Sequence, residues 1–149
     1  MTLVRQAAHD DHTRILELLA EMHDREGPPP TDESRSLLDE ILKNPHRRLL
    51  LVERSDGQVV GTVDVLVVTN LSRGGRPWAI VENLAVDSAH RRQGFGRLLM
   101  STAIDFAAQS GCYKVQLISN AKRDMAHPLY EELGFAASVR GFRRYLVEM

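Results

Sequence analysis

The stretch from Trp78 to Arg97 limits the fold more than any other part of the chain. It reads Trp78-Ala79-Ile80-Val81-Glu82-Asn83-Leu84-Ala85-Val86-Asp87, then Ser88-Ala89-His90, then Arg91-Arg92-Gln93-Gly94-Phe95-Gly96-Arg97. Its pattern predicts a strand over 78–87, a tight basic turn, and a helix from about Gly94 to Ser110. Leu99, Ala103, Phe106 and Ala107 fall on one helical face, and Gly111 is placed to end it. Such a turn presents backbone N–H groups at the positive end of a helix dipole, a ready anion site. Glycines at 94 and 96 remove side chains that would hold a phosphate off the backbone, and Arg91, Arg92 and Arg97 add positive charge. The spacing fits a polyanion held mainly by main chain, such as a diphosphate; a plain helix start with a surface arginine cluster fits it too. No Gly-Lys-Ser/Thr ending marks a Walker loop, and Leu99 stands where a dinucleotide fingerprint needs its third glycine.

The flanking segments predict a mixed α/β layout on one sheet. Thr2–Ala7 reads as a short strand, and Asp10 or Asp11 is available to cap a helix carrying Ile15, Leu18, Leu19 and Met22. Gly27-Pro28-Pro29-Pro30 stops that helix, and a second runs from about Thr31 to Lys43 before Asn44-Pro45. Leu49–Val52 and Val59–Thr69, joined through Ser55-Asp56-Gly57, form a hairpin signal. After the 78–110 unit come a strand over 114–119, a short helix over Met125–Leu133 closed by Gly134, and a tail with room for two more short strands around Gly141. At 149 residues the chain is expected to be one domain, 1–149.

Composition narrows the function classes. Nineteen Lys and Arg against twenty Asp and Glu give a net charge of −1, and only eight residues are aromatic, a poor endowment for nucleic-acid binding. No apolar run approaches the ~18–20 residues needed to cross a bilayer, and the N-terminus lacks a signal layout, so a cytoplasmic protein with no membrane partner is expected. The single cysteine, Cys112, suits a reducing compartment and reads as a small buried apolar residue, not an acyl carrier. His9 and His12 have no Cys or further His nearby to complete a metal site, so they read as solvated residues at a helix start and no metal is expected.

Arg91-x-x-Gly94-x-Gly96 after Glu82–Val86 resembles the coenzyme A signature of the GNAT superfamily, the acetyl-CoA-dependent N-acetyltransferases. Downstream, Tyr130-Glu131-Glu132-Leu133-Gly134-Phe135 resembles that family's Tyr-x-x-Leu-Gly-Phe segment, and Asn120 stands where the family often has an asparagine. The order of elements is similar along essentially the whole chain. The resemblance implies a central, twisted, mostly antiparallel sheet flanked by about four helices, with the strands at 78–87 and 112–119 splayed apart. It further implies that pantetheine enters the gap like an added strand, bonded to the main chain of Leu84, Ala85 and Val86. The turn of Arg91, Arg92, Gln93, Gly94, Phe95, Gly96 and Arg97 would then cradle the pyrophosphate, and Asn120 would belong to the same coenzyme site.

Acyl transfer from a thioester to an amine needs a neutral amine, a stabilised oxyanion and a protonated leaving thiolate. The resemblance places Tyr130 beside the sulfur, and a phenol near pKa ~10 is a competent donor to a thiolate. Glu82 resembles an acidic residue that some members have at this place. Strict alternation puts it on the face of Leu84 and Val86, where it would accept the amine proton, attract a cationic amine, or simply pair with an arginine. A main-chain N–H near Leu84 would polarise the carbonyl. His127, just before Pro128, belongs to a helix entry. The expected reaction is direct acetyl transfer from acetyl-CoA to a primary amine of a small molecule. An acyl-CoA-binding sensor of the same fold is the alternative. Family members are often dimers, and a homodimer is left open here.

Overall fold

Five strands build one sheet because the apolar runs of the middle sequence pair in order. They are β1 (Leu3–Gln6), β2 (Arg47–Glu53), β3 (Val59–Val68), β4 (Trp78–Val86) and β5 (Val115–Leu117), in spatial order β1-β2-β3-β4-β5. The first four are antiparallel to their neighbours, and β5 runs parallel to β4. The computed structural model describes residues 1–119 and 126–149. Its contacts fall into two units, Met1–Leu117 and Ile118–Met149, taken here in turn.

In the first unit, β2 and β3 are buried almost throughout, because helices cover both faces. Helices α1 (His12–Glu21) and α2 (Asp32–Lys43) lie on one face, where Ile15, Leu18 and Leu38 cluster with Leu49, Leu51 and Ala85. Helix α3 (Phe95–Gln109) lies on the other, burying Leu99, Met100, Ala103 and Ala107. A Cβ on Gly61 would stand only 3.0 Å from both Leu99 Cδ1 and Val52 Cγ1, so glycine there lets α3 approach the sheet. The predicted start of α2 holds, since Thr31 Oγ1 accepts from the Ser34 N–H at 3.0 Å and Ser34 Oγ accepts from the Thr31 N–H at 3.0 Å.

The start of α1 departs from the sequence reading. Asp11 makes no cap bond to α1 itself; it accepts from the backbone N–H of Ala8 at 2.8 Å, at the start of the 3-10 turn His9–Asp11 that leads into the helix, and from Arg5 at 2.8 and 2.9 Å in a charge-assisted fork. His12 is also buried, not solvated, since it stands three residues before Ile15 and continues the inward stripe of α1. His9 is exposed and bonded to Asp39 at 3.1 Å.

The second unit holds helix α4 (His127–Glu132). No strand is found in 135–149, so the two further strands expected there are not formed. A two-stranded ribbon alone is marginal in water, and folding about Gly141 would bring Arg140 close to Arg143 and Arg144, like charges that oppose pairing.

Candidate active site

The ladder between β4 and β5 runs only from Ala79↔Val115 to Val81↔Leu117, whereas β4 continues to Val86. On that side Glu82–Val86 have no strand neighbour among the described residues, and their main chain forms an open sheet edge. Leu84, Ala85 and Val86 lie on this edge, as the splay expected from the sequence requires.

The other side of β4 holds a feature the sequence reading missed. Thr62 pairs with Ala85 and Asp64 with Glu82, so Asn83 and Leu84 together oppose Val63 in a β-bulge. Asn83 takes φ 57, the left-handed region that asparagine tolerates better than most side chains. The extra residue shifts the alternation by one. Glu82 therefore shares a face with Ala85, Thr62 and Asp64, the face of α1 and α2, and not with Leu84 and Val86 as strict alternation predicts. The Glu82 side chain is exposed and makes no ion pair or hydrogen bond among the described residues. Opposite it, buried Asp64 accepts from Arg47 Nε at 2.9 Å and Nη2 at 2.5 Å.

The turn after β4 is tied down before it reaches α3. The Asp87 N–H donates to Val60 O at 2.8 Å, while its carboxylate accepts from Ala89 N–H at 2.9 Å and Arg14 Nη2 at 2.5 Å. Burial works to raise the Asp87 carboxyl, but those two hydrogen bonds, the charge of Arg14 and the nearby His90 together outweigh it and hold the group below the ordinary carboxylate value. Ser88 N–H donates to Glu21 at 2.6 Å. His90 Nε2 lies 2.7 Å from Arg54 Nη1 and must accept from it, because a guanidinium only donates; the ring proton then sits on Nδ1, 3.6 Å from Asp87.

Beyond these anchors the backbone turns outward. Arg91 Nε donates to Val86 O at 3.3 Å, and Arg92 and Gly94 take φ 63 and 86. A left-handed Gly94 followed by helical Phe95 is a nest, in which successive N–H groups converge. Gly94 provides no side-chain cap, and the first helical bond is Leu98 N–H to Gly94 O at 3.1 Å, so the Phe95 and Gly96 N–H groups have no intrahelical acceptor. A Cβ on Gly94 would meet nothing within 4 Å. An open nest of backbone donors rimmed by exposed Arg91, Arg92 and Gln93 fits a diphosphate, and the free β4 edge fits an extended amide-bearing chain. The structure thus brings residues 84–86 and 91–97 onto one strand and the turn that follows it. Asn120 lies outside the described residues.

Tyr130 belongs to the second unit, on α4. Gly134, at φ 93, donates its N–H to Glu131 O at 3.0 Å, and Phe135 N–H donates to Tyr130 O at 3.0 Å. This is a Schellman closure, and its hydrophobic contact is the edge-on pair of Tyr130 and Phe135, 6.2 Å between centroids. The Tyr-x-x-Leu-Gly-Phe spacing is therefore what fixes the tyrosine on the last turn of its helix. His127 opens α4 with Pro128 in its first turn, its ring 6.5 Å from that of Tyr130. Cys112 is half-buried, and burial pushes its thiol up, away from the thiolate that nucleophilic catalysis uses. Among the described residues no group of three or more His, Cys, Asp or Glu is placed to hold a metal, and no helix is long and apolar enough to cross a membrane.

The fold as a whole is shared with solved acetyltransferases. An acetyltransferase of Trypanosoma brucei superposes with a TM-score of 0.84 at 28% identity, covering 98% of this chain and 100% of that one. A Bacillus halodurans C-125 protein described as a transcriptional regulator gives 0.90 at 27%, covering 98% and 100%. By sequence, a glucosamine 6-phosphate N-acetyltransferase of Trypanosoma brucei brucei is 30% identical over 141 residues, 94% of this chain and 92% of its own length. The sequence relative marks the chain as an acyl-group transferase. The model of the acetyltransferase (GNAT) family matches residues 12–135, and the chain belongs to that family, the acetyl-CoA-dependent N-acetyltransferases.

Proposed function

We propose that the protein transfers the acetyl group of acetyl-CoA directly to a primary amine of a small molecule, with Glu82 as the base and Tyr130 as the acid. The observation that carries this reading is the open β4 edge at Glu82–Val86 running directly into the Gly94 nest. Acetyl-CoA supplies an acyl carbon activated as a thioester. The nest amides, with Arg91, Arg92, Gln93 and Arg97, bind the diphosphate, and the Leu84–Val86 main chain aligns the pantetheine arm. Asn120, by the family resemblance, joins the coenzyme site. Glu82, exposed and without an ion pair among the described residues, accepts the proton of an incoming ammonium, and Tyr130 Oη donates one to the departing sulfur. A family match running over 12–135, across both contact units, supports reading 149 residues as one domain.

The amino-sugar relative points to an amine-bearing sugar phosphate as the acceptor to try first. The neighbour described as a transcriptional regulator favours a second reading, an acyl-CoA sensor without turnover. Thiol release from acetyl-CoA over a panel of amines that includes glucosamine 6-phosphate separates the two. Release above hydrolysis with one or more amines supports the enzyme; coenzyme binding with no amine-dependent release supports the sensor.

A further inference from the structure

The bulge on β4 does more than shift the alternation, because it leaves Glu82 facing a second carboxylate. Across the α1/α2 face, Leu49, Asp64 and Glu82 stand in one row of β2, β3 and β4. Directly opposed residues have Cβ atoms about 4.5–5.5 Å apart, and like charges there repel. Arg47 removes that conflict by gripping both oxygens of Asp64. The hydrogen bonds and field of Asp64 hold the guanidinium protonated even more firmly than usual, with the field of Glu40 on α2 adding to the effect. Asp64 is 7% exposed and Glu82 is open to solvent. Of the three charges, the sheltered pair cancels, and the surplus negative charge rests on the exposed residue.

We propose that Asp64 is the positioning residue of the acceptor site, keeping Arg47 bound so that Glu82 stays free for a protonated amine. The inference rests on the reading above, in which the amine arrives at Glu82. An arginine fork seeks a carboxylate in two-point geometry. Without Asp64 the guanidinium loses its fork, and two carboxylates can compete for it: Glu40, whose field already reaches it, and Glu82, the residue opposite Asp64 in the row. A Glu82 so captured can neither attract an ammonium nor accept its proton. With Asp64 in place, one ammonium N–H bond breaks, one Glu82 O–H bond forms, and a neutral amine is left to attack.

Steady-state kinetics on the full chain test this, beginning with thiol release by the wild type; its failure overturns the acetyltransferase reading and this inference with it. Given turnover, Asp64→Asn lowers kcat/KM for the amine by about 10²-fold, the low end of what a general base contributes. The KM for acetyl-CoA stays unchanged. Asp64→Asn/Arg47→Met recovers most of that loss, because the competitor for Glu82 is gone. In a Glu82→Gln background, Asp64→Asn costs nothing further. A double variant no better than the single, at equal melting temperature, overturns the proposal and leaves the acetyltransferase reading standing. So does an Asp64→Asn loss that persists in full beside Glu82→Gln. If Asp64→Asn does not fold, the double variant decides alone: amine kinetics near wild type support the proposal, and a defect as large as that of Glu82→Gln overturns it.

Discussion

Replacing Gly94 by alanine separates the stability of the turn from its role in binding. The residue has φ 86 and ψ 6, where an L-side chain costs roughly 1–2 kcal/mol. No clash adds to that, since the new Cβ would have nothing within 4 Å. For a domain of this size each kcal/mol lowers Tm by about 2–4 °C, so Gly94→Ala should melt about 2–8 °C below wild type. Binding should fall much further. In the proposed site the added methyl group would hold a phosphate off the Phe95 and Gly96 amides. A hydrogen bond to a charged group is worth about 1.5–3 kcal/mol, so losing one weakens coenzyme A by about 10–100-fold. Gly74→Ala is the control, because that residue has φ 71 and equally open surroundings in the loop before β4. Calorimetric titration with coenzyme A, well below either Tm, gives the answer. Two variants with similar Tm losses and the same Kd would refute the assignment of the nest, and an equal weakening by Gly74→Ala would mean the effect is general softening.

Tyr130→Phe should lower kcat by ~10²–10⁴-fold with coenzyme affinity unchanged, and a wild-type rate with chemistry shown to be limiting would remove the proton-donor role. The Asp87 carboxyl is held below its ordinary value, so its bond to Arg14 contributes stability above about pH 4 and loses it as pH falls through the lower folded value. The stability gap between wild type and Asp87→Asn in urea should therefore close in acid, and a gap independent of pH would contradict this. Thr31→Ala removes the cap of α2 at a cost of about 1 kcal/mol, visible as a Tm loss with acetyl transfer unaffected.

The parts of the fold legible in the sequence are those fixed by local chemistry. Thr31 and Ser34 carry their own cap, Gly94 and Gly134 mark left-handed turns, and the apolar runs of β2 and β3 show that both sheet faces are covered. What stayed hidden depends on partners distant in sequence. The burial of His12 depends on the packing of α1 against the sheet. The bulge left one trace, an asparagine inside a strand, and period-two alternation gave the wrong face for Glu82. The Arg47–Asp64 and Arg14–Asp87 pairs join residues on different elements, and neither is a motif in the chain. The tail after Gly134 shows the converse, since strand-like residues form no strand where no ladder is available.

A crystal structure with a non-reactive acetyl-CoA analogue tests the central claim most directly. The diphosphate should lie within hydrogen-bond distance of the Phe95 and Gly96 amides, with the pantetheine bonded along Leu84–Val86 and the sulfur beside Tyr130 Oη. A coenzyme bound away from the β4 edge, or a diphosphate held by side chains elsewhere, would contradict it.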